Sequence, residues 1–308
     1  MTRIKAVQVA PKTAFAAGTA PRPRRGLRRR SPLTNALLFV GVLFFVIFTL
    51  YPLVYMVSGS FKTLGETYSG FASLWPQNPT LENYNQVLFQ GVLDQTNFLR
   101  NCRNSLGIAA MTIGISLLMA LPAAFVIARH TNVAATLVSV WIRIAQVVGG
   151  IIVIIPLYLI LREIGLVDTL LGVSLAQSIP FSAFATWVLV SYIRQIPSEI
   201  EEAARLDGCH NWQVIRHVVL PLIRPGLLSV ILVVFFLSWN DFINPLILIN
   251  DPDYYTVTVA LFTFIGQVGQ VDWGTLLAFG TLACLPGVVM IILAERHLVS
   301  GLLGGSVK

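Results

Sequence analysis

Residues 196–226 read IPSEIEEAARLDGCHNWQVIRHVVLPLIRPG, an island of charge in a chain that is otherwise strongly apolar. Leu170 to Ile193 precedes it and Leu227 to Ile249 follows it, and each run is long enough to cross a hydrocarbon core of about 30 Å at about 1.5 Å per helical residue. The stretch therefore reads as a loop between two membrane spans, and that reading decides the fold class. Inside it, Ser198 stands three positions before Glu201, the capping-box arrangement that starts a helix. Gly208 supplies the stop, because glycine takes the left-handed conformation past a last helical turn without a Cβ penalty. Glu201 and Arg205 are four apart and placed to pair on one face, while Ile200, Ala203, Ala204 and Asp207 fall on another. Asn211 is placed to cap a second helix carrying Val214, Ile215, Val218 and Leu222, which Pro221 and Pro225 distort and end. A helix as short as the first is marginal in water. Either it folds back on its own membrane domain, or it is held by a partner whose surface its small side chains admit.

Composition extends the same reading to the whole chain. Of 308 residues, 56% are hydrophobic and only 11% charged, and the mean hydropathy is +0.76, too apolar for an ordinary soluble domain. Six long apolar runs occur: Leu33 to Val57, Ser105 to Ala128, Ala134 to Leu161, Leu170 to Ile193, Leu227 to Ile249 and Thr275 to Leu293. Their continuous hydrophobicity predicts helices, since a membrane barrel alternates over about ten residues at a time. The expected fold is all-α and polytopic, with six transmembrane helices in residues 32–297. A basic tail over residues 1–31, expected to be disordered, precedes them, and a short tail at 298–308 follows.

Lysine and arginine set the orientation. With both termini in the cytoplasm, sixteen of the 21 fall on the cytoplasmic side and four outside, which places the loop at 197–226 in the cytoplasm. The tail segment PRPRRGLRRR, directly ahead of a span, reads as a topology anchor near anionic lipid rather than a nucleic-acid patch. Cys102, Cys209 and Cys284 are too scattered for a disulfide framework, and the four histidines form no metal-binding spacing, so no metal is expected.

The spacing of Glu202, Ala203, Ala204, Gly208, Val218, Leu220 and Pro221 resembles the signature loop of permease subunits of binding-protein-dependent ABC importers. The similarity extends to SGSFK at 58–62, TLENY at 80–84, NSL at 104–106, IIPLYLILREIGLVDTLLG at 154–172, WNDFINPL at 239–246 and RHLVSGLLGGSVK at the C-terminus. These resemble the maltose-type, carbohydrate-importing branch, and within it the six-span permease of the pair. The resemblance implies a type I importer permease of the bacterial or archaeal inner membrane. Its implied partners are a second permease, two cytoplasmic ATPases that bind ATP and Mg, and an external solute-binding protein. Glu201, Glu202, Ala203, Ala204, Arg205, Asp207 and Gly208 would then dock on an ATPase. No GxxxxGK[ST] phosphate loop is present, so this chain is expected to bind no cofactor and to catalyse nothing itself. For a solute path, Trp239, Asn240, Asp241, Asn244 and Gln146 are polar or aromatic groups within the spans, where such groups face a cavity or a partner. Packing between helices explains them equally well. An ion-coupled secondary transporter is the alternative, with Arg143 and Asp241 as its only intramembrane ionisable groups and no internal repeat.

Overall fold

A computed structural model describes residues 32–68, 73–91, 97–130, 132–147, 150–267 and 272–304, and no strand occurs among them. The basic tail at 1–31 lies outside the described residues. Among the helices of the described residues, the longer ones and the short one after Asp241 are numbered α1 (Pro32–Gly59), α2 (Phe98–Arg129), α3 (Val133–Val147), α4 (Gly150–Glu163), α5 (Leu170–Ile193), α6 (Ser198–Leu206), α7 (Arg224–Trp239), α8 (Ile243–Leu248), α9 (Val257–Gln267) and α10 (Trp273–Gly304). The chain divides into two units, residues 1–51 and 52–308, and α1 runs across the division at Pro52. In the first unit, the side chains of Leu33 to Tyr51 are exposed throughout.

The second unit is built on the pair α2 and α5. On α2 the buried residues Ile108, Thr112, Ser116, Ala120 and Ala124 recur every fourth position. On α5 the same interval selects Ser174, Ser178, Ser182 and Thr186. Small side chains in register let two backbones approach closely, which is what holds helices together where lipid gives no hydrophobic preference for protein. The hydroxyls of α5 remain compatible with burial because each returns to a helical carbonyl: Ser174 Oγ donates to Leu170 O at 2.7 Å, Ser178 Oγ to Ser174 O at 2.6 Å, Ser182 Oγ to Ile179 O at 2.8 Å and Thr186 Oγ1 to Ser182 O at 2.7 Å. α7 leans on both helices and on α10, and Gly226 at its start touches the Tyr192 ring so closely that a Cβ there would overlap it.

Six spans were expected, and the described residues support four by length and apolarity: Leu33–Gly59, Phe98–Arg129, Leu170–Ile193 and Trp273–Leu293. A fifth is reached by counting Asn211–Leu222 with Arg224–Trp239, which are bent by 81° to each other. The third run, Ala134 to Leu161, divides into α3 and α4, of 15 and 14 residues, on either side of 148–149. Gly149 and Gly150 weaken helix at that point of the sequence. The fifth run also breaks, because Asp241 and Asn244 hydrogen-bond locally instead of continuing the helix, so α7 ends at Trp239 and α8 is a short separate helix. At the C-terminus α10 continues to Gly304, beyond the expected start of a tail at 298. Pro52, Pro122, Pro156, Pro180 and Pro286 all lie inside helices.

The long connection after α1 is tied down by polar contacts. Asn83 Nδ2 donates to Ser60 O at 2.8 Å and to Lys62 O at 2.9 Å, and the Glu66 carboxylate accepts the Asn78 amide at 2.7 Å. Lys62, 4% exposed, donates to Ser73 O and stands over the Tyr55 ring. Between α4 and α5, Asp168 takes a positive φ of 59° and accepts the amides of Asn250 and Asp251. Burial raises its carboxyl pKa, but those amides and the Asn250 side chain outweigh it and hold the group below its usual value. The folded value is the lowered one, so this clamp is complete above about pH 4 and weakens only as pH falls further.

The α2–α5 contact leaves no room for a larger residue at Ala120, which is fully buried. Ala120→Leu is expected to cost about 1–3 kcal/mol through overpacking, read as a lowered melting temperature of the detergent-solubilised protein. Leu118→Ala, at an exposed position two residues away, should melt within a degree or so of the wild type.

Candidate functional site

Arg129, the last residue of α2, reaches the short helix α6. Its Nε and Nη2 donate to Glu201 Oε1 at 2.9 and 2.6 Å, and Nη2 also donates to Ile196 O at 2.9 Å. The two side chains are 15% and 4% exposed, so this is a buried ion pair with the guanidinium shared between a carboxylate and the carbonyl just ahead of the helix. Glu201 therefore neither closes a capping box with Ser198 nor pairs with Arg205, as its spacing had suggested. Pro197 is the N-cap, with no side-chain hydrogen bond, and burial beside Arg129 offers the carboxylate a stronger partner than an exposed arginine one turn away.

With Glu201 turned inward, the rest of α6 faces outward. Glu202, Ala203, Arg205, Asp207 and Gly208 are exposed, Ala204 is half-buried, and Leu206 is 89% exposed. Gly208 has φ of 92°, the left-handed stop expected of it. The following segment begins at His210, whose amide donates to Gln213 Oε1 at 2.8 Å, so His210 rather than Asn211 is the cap. A π turn at Ile215–Val219 carries an extra residue, and the buried set becomes Val214, Ile215, Val219 and Ile223, with Leu222 exposed. These residues pack under Phe125, Leu189, Ile193 and Val230, so the loop at 197–226 is seated on the membrane helices while the outer face of α6 stays open.

A second polar centre lies within the helices. Gln177 on α5 is fully buried and joins four elements: its Oε1 accepts from Thr112 Oγ1 of α2 at 3.0 Å and from Ser238 Oγ of α7 at 2.6 Å. Its Nε2 donates to Asp241 Oδ2 at 2.8 Å, which also accepts Asn244 Nδ2 of α8 at 2.6 Å. Thr258 Oγ1 of α9 donates to the Asp241 carbonyl at 2.9 Å. Of the residues expected on a solute path, Asp241 and Asn244 thus meet in this network. Trp239 does not present its ring: it is 6% exposed, stacks on Phe235 and donates Nε1–H to Ala283 O at 3.2 Å, because its size fits the space between α7 and α10. Asn240 is exposed and returns its amide to Phe236 O at 2.9 Å. Gln146 belongs to α3, and its side chain lies outside those described.

Two residues central to these sites, Arg129 and Gln177, were not singled out from the sequence. A glutamine in the middle of an apolar span was a usable signal, since buried polar groups in a membrane need partners. No group of three or more metal-ligating side chains occurs among the described residues.

Long apolar helices packed through small residues, a seated loop with an open helical face, and an internally satisfied polar network define a membrane-embedded transport subunit. Residues 106–303 match the family described as binding-protein-dependent transport system inner membrane component, and the chain belongs to that family. It is a transmembrane permease subunit of an ABC importer, which sets aside the ion-coupled alternative. The putative ABC transporter permease protein ORF1 of Streptomyces antibioticus is 36% identical over 233 residues, covering 76% of this chain and 99% of that one. The trehalose/maltose transport system permease protein MalG of Thermococcus litoralis is 29% identical over 283 residues, covering 91% and 99%. Among solved structures, a chain of a bacterial ABC transporter involved in alginate import superposes with a TM-score of 0.75 over 86% of this chain and 96% of that one, at 20% identity, a likeness of fold.

Removing one member of the Arg129–Glu201 pair leaves a buried charge alone. Arg129→Met and Glu201→Gln are each expected to cost about 3–5 kcal/mol, and the double variant less than the sum of the two. Thermal unfolding of the four proteins in one detergent measures this coupling, and strictly additive losses would contradict the pairing.

Proposed function

We propose that this chain forms half of the translocation pore of an ATP-driven importer of sugars or sugar-like solutes, and that α6 transmits ATPase closure to the spans. The observation that carries the reading is the pairing of a fixed inner face with an open outer one: α6 is fastened to α2 through Glu201 and Arg129, while Glu202, Ala203, Arg205 and Leu206 remain uncovered. A partner pressing on that face would move Arg129, and with it the end of α2. Glu202 is the proposed polar contact to the ATPase, Ala203 and Ala204 permit close approach, and Asp207 and Gly208 end the helix within the docking surface. Leu206 adds an apolar anchor, and Trp212 of the same loop is 61% exposed.

In this reading the loop at 197–226 and both termini are cytoplasmic, supported by the lysine and arginine distribution. ATP and Mg belong to two partner ATPases, and the chain itself performs no catalysis. A second permease, a different chain, completes the pore, and an external binding protein delivers the solute. The carbohydrate class rests on the names of relatives such as the trehalose/maltose permease of T. litoralis, together with the motifs shared with that branch. Asn240, exposed beside the polar network, and the accessible edges of Asp241 and Asn244 are offered to solute hydroxyls. Trp239 is assigned to packing.

Glu202→Lys and Gly208→Pro are expected to abolish ATP-dependent uptake while the protein still inserts and assembles its permease pair. Proline cannot adopt the φ of 92° at position 208, and a lysine reverses the charge offered to the ATPase. Uptake assays alongside co-purification of the ATPase test the proposal, and wild-type uptake in both variants would remove α6 from the coupling route. Asn240→Ala, at an exposed site, is expected to raise the solute concentration needed for half-maximal uptake without releasing the ATPase.

A further inference from the structure

At the same end of α2 and α5 as the Arg129–Glu201 pair, a cavity of about 190 Å³ opens between α2, α3 and α5. Its polar lining is Arg143 and Ser139 of α3, Thr186, Trp187 and Ser191 of α5, and Arg194 just past the end of α5, and no carboxylate is among the residues around it. Arg143 folds back one turn along α3, its Nη2 donating to Ser139 Oγ at 2.8 Å and its Nε to Ser139 O at 3.3 Å, so its charge is steered toward this end of the helix with no counterion among the described residues. Arg194 has no hydrogen-bond or ion-pair partner for its guanidinium among the described residues. Trp187, 59% exposed, lines the same cavity.

We propose that this cavity binds a phosphate-bearing anion, namely the headgroup of an anionic phospholipid. Two positive charges sharing one cavity repel each other, and a charge at bilayer depth without a counterion is costly. A phosphodiester relieves both, since its oxygens match the planar fork of each guanidinium and the hydroxyls of Ser139 and Ser191 supply further hydrogen bonds. The cavity holds several times the ~30 Å³ taken by one water, enough for a phosphate group and its first waters. A basic pocket between membrane helices at the cytoplasmic face is a setting in which anionic headgroups are bound. That this face is cytoplasmic rests on the importer reading. The anion site rests on the arginines alone.

The test uses the whole transport complex, purified in mild detergent and stripped of lipid, then titrated separately with phosphatidylglycerol, phosphatidylcholine and inorganic phosphate. Native mass spectrometry counts bound lipid, and thermal unfolding reports all three ligands. Wild type is expected to bind phosphatidylglycerol at least ten-fold more tightly than Arg194→Gln or the double variant Arg143→Gln/Arg194→Gln, and more tightly than it binds phosphatidylcholine. Arg194 is exposed, so the single variant should unfold at the wild-type temperature when no lipid is present, and Arg143→Lys should retain part of the binding. Stabilisation by inorganic phosphate that the same variants abolish, without any response to phosphatidylglycerol, would support the anion site and assign it to soluble phosphate. Equal binding of every probe by wild type and variants would overturn the site. ATP-dependent uptake measured on the same preparations tests the importer reading separately.

Discussion

Thr112, Ser116, Ala120 and Ala124 bring the backbone of α2 against α5 more closely than larger side chains would allow, and the rest of the second unit is arranged around that contact. In a bilayer there is no hydrophobic gain in moving an apolar helix from lipid onto another apolar helix, so association depends on close packing and on hydrogen bonds between the helices. Both are present in one interface. The same row that brings the backbones together also places Thr112 opposite Gln177, and so seeds the polar network that gathers α7, α8 and α9.

The network also changes how its members are understood. A carboxylate and an asparagine in a membrane span invite a role with solute. Yet Asp241 accepts from Gln177 and from Asn244, and Gln177 has no exposed surface. Their shared work is to satisfy one another where water is scarce, and past the break after Trp239 Asp241 meets both Asn244 and Gln177. Solute contact, in the proposed reading, belongs to the exposed margin of this cluster.

α2 also contributes a residue to each of the two sites. Arg129 at one end and Thr112 near its middle are 17 residues apart, roughly 25 Å along a helix at 1.5 Å per residue. In the proposed reading, a displacement imposed on Glu201 is carried along α2 toward the polar network, past Pro122 inside the helix. In the importer reading this is the path by which an event at the surface of α6 is felt among the spans.

The membrane class, the helical fold, the loop at 196–226, the short helix within it and its glycine stop were all legible in the sequence, because they depend on local quantities: length of apolar runs, charge distribution and backbone preference at single residues. Membership of the permease family was legible too, from spacing within that loop. Partner choice was not. The spacing of Glu201 pointed to Ser198 and Arg205, whereas the fold supplied Arg129, 72 positions earlier, at a buried site where a carboxylate left unpaired is costly. The bend after Trp239, the burial of its ring, and the hub at Gln177 were likewise decided only by the tertiary structure. Each depends on which buried polar groups meet across helices distant in sequence, and a polar group removed from water takes whichever partner the packing brings within reach.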